Sequence, residues 1–287
     1  MGSTRKFKKF KKMNCFPTKG KTKKSYTCYS SDAIFKIRDG WNTRHPDVKI
    51  TSNIPRDIWE ELKMLMADVC DSEMCWLRQQ LIDTKKGQDL LNYSFAPTHP
   101  KSWNKNKNEW LSSIDLEKVM KQYEKTYPNF SFLGPSPIDF ADSQGSSCVW
   151  PELCNFNVQK MLDKNKTKIG IIFNTDPHYK SGAHWISMFL DLNKDFLFFF
   201  DSNGTPPSKE IVAFKDKILN QCAEIQKQVK YSDNSNFAHQ KTNTECGMFS
   251  LYFIIQMIKE TFNPEYFKSN KISDDNMEKL RKIYFNS

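Results

Sequence analysis

The sequence predicts an α+β fold: a small mixed sheet set against helices. Three observations carry this. Short apolar runs at 169–175 (IGIIFNT), 184–192 (HWISMFLDL) and 195–202 (DFLFFFDS) read as buried strands. Helical stripes of apolar residues lie on either side of them in the chain. The run that begins at Cys246, CGMFSLYFIIQMI, is too long and too uniformly apolar for an edge strand and reads as a buried central helix.

Taken in order, residues 1–24 hold Arg5 and nine lysines and no acid. This segment is expected to be a disordered basic tail. It suits docking on nucleic acid or an anionic surface, nuclear targeting, or a simple solubilising arm. Ten of the 43 basic residues of the chain lie there, so the remainder balances the 33 acids and the net charge of +10 belongs to the tail. A general nucleic-acid-binding fold is therefore not implied. Gly2 lacks a myristoylation context, because Lys6 stands where Ser or Thr is needed.

Residues 25–107 read as an accessory helical region. Pro55 opens a helix over 55–81, with Ile58, Leu62, Leu65, Met66 and Val69 at helical spacing. Residues 85–107, polar and marked by Gly87, Pro97 and Pro100, read as a linker. A helix starts near Ser112, with Asp115 placed for a capping box and Leu116, Val119, Met120 and Tyr123 as its stripe. Gly134 to Pro137 reads as a turn. The second and third strand runs form a hairpin about a tight Asn193-Lys194 turn. Pro206, Pro207 and Ser208 open a helix with Ile211, Phe214, Ile218, Cys222 and Ile225 on one face, and a short extended piece ends at His239-Gln240. A last helix is capped near Ser273, with Asp274 and Asp275 in its first turn. Trp76, Trp110 and Trp150 are expected in the core.

A chain of 287 residues with 38% hydrophobic content can bury a core, which excludes a disordered protein. The longest apolar run, Met248 to Ile258, is too short to span a bilayer, and the basic N-terminus lacks the apolar stretch of a secretory signal. Eight cysteines, at 15, 28, 70, 75, 148, 154, 222 and 246, are expected as reduced thiols in an intracellular compartment. The spacings of Cys70 to Cys75 and Cys148 to Cys154 lie outside the C-x2-C knuckle, so no metal site is assigned.

Chemistry points to Cys246. At a helix N-terminus, unpaired N–H groups and the dipole stabilise a thiolate. Gly247 lets another backbone or a substrate come close. A buried structural cysteine is the competing reading. His184 opens one strand of the hairpin and Asp201 closes the other. Their positions sum to 385, so a turn centred near 192–193 sets them opposite each other, and a centre one residue on brings Asn203 opposite His184. Either partner would hold the imidazole by Nδ1–H and leave Nε2 facing the thiol. Gln240, six residues before Cys246, can donate to a developing oxyanion beside the Cys246 N–H. His178 lies in a loop before the hairpin, where it can border a cleft, and His239 reads as a surface residue at a strand end.

The order GAHW, FFFDSNG, HQKTNTECGMFSLYF resembles the ubiquitin-like-protein proteases, the SUMO-protease superfamily that includes the adenovirus protease. Within it, NTDPHYKSGAHW, NEWLSSIDLEKVMKQYEK and FLGPSPIDF are similar to cysteine proteases of large DNA viruses, of the African swine fever virus polyprotein-processing type. So, more weakly, is CDSEMCWLRQQ at 70–80. The likeness covers about residues 108–260. It implies a papain-like-clan core over 108–287, with Cys246 as nucleophile, His184 as base, Asp201 as orienting acid and Gln240 as oxyanion donor. Trp185 is implied to clamp the substrate strand, with Gly247 beside it. One departure is Glu245, where many cellular members have Asp. No metal or organic cofactor is implied. The partner is a protein carrying a Gly-Gly-like site, either a polyprotein or a ubiquitin-like protein. The setting is the host cytoplasm or viral factory, the virion, or the nucleus by way of the tail. Isopeptidase action, acyl transfer and a non-catalytic basic-tailed virion protein are the alternatives.

Overall fold

The three apolar runs become adjacent strands. The computed structural model describes residues 9–20, 25–81 and 85–287. It divides into two units: one runs to Thr98 and takes in Ile283–Ser287, and the other is His99–Lys282.

The first unit is helical. α1 (Ser31–Arg44) is capped by the Ser30 hydroxyl, which accepts from the Ala33 N–H. α2 (Pro55–Leu65) buries Ile58, Trp59 and Leu62. α3 is Glu73–Leu81 and α4 is Lys85–Ser94. Their shared core gathers Ile34, Ile37, Trp41, Trp76, Leu77 and Phe95.

Three expectations change here. The helix expected over 55–81 is two helices, and Val69 is 63% exposed. The helix ends at Met66, and the turn that follows contains Asp71 and Ser72, side chains that favour turns and helix starts over helix interiors. The Ser72 carbonyl accepts the Cys75 N–H at the start of α3. The expected linker is helical over its first ten residues. Of the expected tail, 1–8 and 21–24 lie outside the described residues, but 9–20 are tied down. Met13 is buried, the Asn14 carbonyl accepts the Ala96 N–H, and Cys15 is bonded to Cys28. The charge count masked the apolar Phe10 and Met13, which pack on this core.

The second unit holds the sheet. A 3-10 turn (Lys101–Asn104) precedes α5 (Ser113–Thr126), whose Ser112 and Asp115 form the expected capping box. β1 is Phe130–Pro137. A small ribbon, β2 (Ser143–Gln144) with β3 (Ser147–Cys148), follows, and then α6 (Pro151–Cys154) and α7 (Val158–Asp163). Next come β4 (Lys168–Asn174), β5 (Trp185–Asp191), β6 (Phe196–Phe200), α8 (Lys209–Glu224) and β7 (Lys230–Asp233). α9 (Cys246–Lys259), α10 (Tyr266–Ser269) and α11 (Asp274–Tyr284) complete the chain.

The five-stranded sheet has the order β1-β4-β5-β6-β7. Its outer pairs are parallel and its inner pairs antiparallel, so it is mixed, as expected. One face packs on Ile211, Phe214, Ile218 and Cys222 of α8. The other packs on α9, where Phe253 stacks on Phe200 at 4.8 Å between ring centroids. Gly170 allows that approach, because a Cβ there would lie 2.8 Å from Ile254 Cγ2. Burial on both faces is why the strands read as unbroken apolar runs. Gly134 to Pro137 is not a turn but the end of β1, where the register with β4 shifts between Leu133 and Ser136. Gly134, at φ 92°, accommodates that bulge. Trp76 is core, but Trp110 is 39% exposed. Among the described residues, no helix is long and apolar enough to cross a membrane.

Six cysteines form disulfides: Cys15–Cys28, Cys70–Cys75 and Cys148–Cys154, with Cα separations of 5.0, 5.4 and 6.6 Å. Reduced thiols therefore remain only at Cys222 and Cys246, both buried. Chain length indicates whether a fold needs disulfides. It does not indicate which side chains meet.

Candidate active site

His184 stands one residue before β5 and Asp201 one residue after β6. The hairpin pairs Asp191 with Phe196 and Ser187 with Phe200, which sets His184 level with Asn203 rather than Asp201. The difference from the expected register lies in the turn. Asp191 Oδ1 accepts the N–H groups of Asn193 and Lys194 at 2.9 and 3.1 Å, so the loop centres between these two residues. Asp201 is still on the same face, because side chains two apart along a strand share a face, and it reaches His184 diagonally. Asp201 Oδ1 lies 2.7 Å from His184 Nε2, whereas Asn203 Nδ2 lies at 3.4 Å. The imidazole is thus held by Nε2, the reverse of the expected orientation, and Nδ1 is the nitrogen left for the thiol.

Asp201 is fixed on every side. Its Oδ1 also accepts the Asn203 N–H at 2.8 Å. Asn234, 1% exposed, accepts the Asp201 N–H with its side-chain oxygen at 3.0 Å and donates its amide to the Asp201 carbonyl at 2.7 Å. This side chain continues the strand pairing past the end of β7. Asn234 had no periodic signal in the sequence, since its role depends on a contact 33 residues away.

Cys246 is the first residue of α9 and is 1% exposed. Its thiol is near enough to the His184 imidazole to act on its charge. Burial alone would lower the His184 pKa. The hydrogen bond to Asp201 and the nearby Cys246 thiol, with the charges on both, override burial and raise it to about 9. The site therefore favours an imidazolium over a neutral ring at pH 7.

Gln240 is buried against Ser202, the residue after Asp201. Its Oε1 accepts the Ser202 hydroxyl at 2.7 Å, and its Nε2 donates to the Thr242 carbonyl. The amide has two N–H donors, and the Thr242 carbonyl takes one of them. The Ser202 carbonyl accepts the N–H groups of His239 and Gln240 at 2.8 and 2.9 Å. The residue that follows the acid therefore places the glutamine.

Trp185 donates its indole N–H to the Leu111 carbonyl at 2.9 Å and is 8% exposed. It walls an open cleft of about 310 Å³ that Pro135, Pro137, Asn174, His178 and Gly182 also line. His178 borders this cleft. Its Nδ1 is 2.7 Å from Asp139 Oδ2. Gly247 meets its own chain: a Cβ there would lie 3.0 Å from Leu111 Cβ and 3.2 Å from Trp185 Cδ1. His239 is not a surface residue. It is fully buried, with Nε2 2.8 Å from the Phe267 carbonyl and Nδ1 accepting the Ile272 N–H at 3.3 Å.

Comparison with known proteins shows the family and the fold. The family model of the Ulp1 protease family, C-terminal catalytic domain, matches residues 115–287. The putative thiol protease R355 of Acanthamoeba polyphaga mimivirus is 31% identical, over 92% of this chain and 90% of its own length. A protein of African swine fever virus, S273R, is 24% identical over 83% of this chain and 91% of its own length. It is named cysteine protease in some isolates and SUMO-1 cysteine protease in others. The crystal structure of the pS273R protease of that virus superposes with a TM-score of 0.68 at 20% identity, covering 95% of each chain, so the fold is shared.

Proposed function

The chain belongs to the Ulp1 protease family and is a cysteine peptidase, and from that premise we propose that Cys246, His184, Asp201 and Gln240 carry its chemistry. The substrate is an extended protein segment cut after a Gly-Gly-like sequence, and the role is processing of viral structural polyproteins during virion assembly. One observation carries the assignment: Asp201 Oδ1 holds the His184 ring at 2.7 Å, and Cys246, at the N-terminus of the buried helix α9, acts on the charge of the same ring.

His184 takes the thiol proton, and Asp201 stabilises the resulting imidazolium. The thiolate attacks the scissile carbonyl carbon, and the carbonyl electrons move to oxygen. The Cys246 N–H and the second Nε2–H of Gln240 hold that oxyanion, and such a donor is typically worth about 3–4 kcal/mol. Collapse expels the amine, which takes its proton from His184. Water then adds to the thioester, with His184 as base, and frees the thiol.

Trp185 supports the glycine preference. It follows His184 in the chain and its ring walls an open cleft, so a substrate strand laid in that cleft would bring the side chains before the scissile bond against it. Glycine has no Cβ and adopts backbone angles closed to other residues. Selection by exclusion discriminates sharply. The test is incubation with peptides varied at the two residues before the cut, with products read by mass spectrometry. Gly-Gly should far exceed Ala-Ala in kcat/KM, and equal values would overturn the preference. The SUMO-1 protease name borne by the African swine fever virus relative favours a second reading, deconjugation of a ubiquitin-like protein. Cleavage of an isopeptide-linked conjugate faster than a linear polyprotein junction would favour it.

A further inference from the structure

Segment 241–245 joins Gln240 to Cys246, so its shape sets the distance between the oxyanion donor and the nucleophile. One helix grips both of its ends. At the first residue of α11, the Asp274 carboxylate accepts the N–H groups of Lys241 and Thr242 at 3.0 and 3.1 Å. Two turns along, Arg281 is 4% exposed and its Nε reaches both oxygens of Glu245, itself 1% exposed, at 3.1 and 2.8 Å. The same guanidinium donates to the carbonyls of Thr244 and Glu109 at 3.2 and 2.8 Å and lies 4.6 Å from the centre of the Trp103 ring.

This arrangement accounts for Glu245, the residue immediately before the nucleophile. A buried carboxylate is tolerated where it is paired and hydrogen-bonded, and the Arg281 fork supplies both. Two buried charges are a costly way to end a helix if packing is the only aim. They do fix register, which the segment requires. The Thr242 carbonyl that accepts from Gln240 Nε2 sits in the same segment, so a shift of Lys241 and Thr242 moves the glutamine amide as well.

We propose that α11 is a clamp that sets the spacing between the Gln240 amide and Cys246, with Asp274 and Arg281 as positioning residues. This rests on the assignment of Cys246 and Gln240 above. The clamp acts on the oxyanion side of the site and not on the His184–Cys246 pair. Alkylation of the thiolate by iodoacetamide needs that pair but has no oxyanion, so it separates the two.

The experiment uses the full chain with a fluorogenic Gly-Gly peptide amide. Asp274→Ala should lower kcat about tenfold at unchanged KM, with the iodoacetamide rate at Cys246 and the melting temperature unchanged. Asp274→Asn, which keeps an acceptor oxygen, should recover most of the loss. Arg281→Lys retains charge but loses the fork, and should lower kcat in the same way. If Arg281→Lys does not fold, Asp274→Ala decides alone. Wild-type kcat in Asp274→Ala overturns the clamp, as does an alkylation rate that falls in parallel with kcat. Controls keep the parent assignment distinct. Activity retained in Cys246→Ala removes that assignment. Inactive Cys246→Ala and slowed Gln240→Ala, beside unaffected Asp274→Ala, remove the clamp alone.

Discussion

The Ser202 hydroxyl donates to Gln240 Oε1 at 2.7 Å, and both residues are buried. A glutamine amide presents an acceptor on one side and donors on the other. Occupying Oε1 leaves the Nε2 end as the donor for the proposed oxyanion.

Gln240→Ala should therefore reduce kcat by about 10²–10³ with little change in KM, because it deletes a donor used only when charge develops on the carbonyl oxygen. Ser202→Ala leaves the amide held only by its bond to the Thr242 carbonyl, and should give a smaller loss of the same kind. Steady-state kinetics on one peptide checks both. A loss confined to KM would mean that Gln240 binds substrate and does not hold the oxyanion.

The second prediction concerns pH. The His184 pKa is raised to about 9, against an ordinary 6.5. A group raised in the folded state gives stability that is fully present below about 6.5 and is lost as pH rises through about 9. The His184 imidazolium disappears over the same range. The basic limb of kcat/KM should thus fall near pH 9. Asp201→Asn removes the carboxylate that holds the charge and should move that limb down by about one unit or more. An unmoved limb would show that Asp201 only orients the ring.

Much of the site was legible because its residues fall in short motifs at strand and helix ends, where side chains leave the core. His184, Asp201 and Cys246 meet although 62 residues separate the first from the last. What the sequence misjudged depends on contacts with no local period. The ring orientation of His184 depends on where a four-residue turn centres. Clasping by Asn234 and gripping by Arg281 are long-range hydrogen bonds. In the N-terminal unit, apolar spacing ran on through Val69, although the chain turns before it. The charge of the first 24 residues hid Met13 and Cys15, which are held by the core and by Cys28. His239 was misplaced because a histidine among polar neighbours gives no sign of the aromatic cage formed by Phe200, Phe237, Phe249 and Phe267.

That cage supports the third prediction. Burial, reinforced by the charge of Lys271, lowers the His239 pKa, outweighing the hydrogen bond to the Phe267 carbonyl. Nε2–H donates to this carbonyl and Nδ1 accepts from Ile272, so the ring is satisfied only when neutral. A depressed pKa gives stability that is present above the ordinary 6.5 and is lost as pH falls below it. The melting temperature should drop as pH is lowered from about 6.5 toward about 5. His239→Gln should flatten that slope. An equal slope in the variant would assign the acid sensitivity to other groups.

The last prediction asks why Cys246, the proposed nucleophile, is followed by glycine. A substrate passing close to the backbone would require it, but so does the chain itself. A Cβ on Gly247 would sit 3.0 and 3.2 Å from Leu111 Cβ and Cδ1 and 3.2 Å from Trp185 Cδ1, tighter than such contacts ordinarily are. Leu111 is 2% exposed, and its carbonyl holds the Trp185 indole, so neither neighbour has free room to retreat. Gly247→Ala should cost about 1–3 kcal/mol as an overpacked core does, read as a lower denaturant midpoint at unchanged slope. It should also slow catalysis, since α9 can relieve the clash only by moving Cys246 or by pushing Trp185 into the cleft. The double variant Gly247→Ala with Leu111→Ala decides between the two reasons. If the glycine serves internal packing, truncating Leu111 opens the space that the new methyl needs, and the double variant should be more stable than the sum of the single losses allows. Additive losses, together with catalysis still impaired in the double variant, would mean that the glycine is there for the substrate.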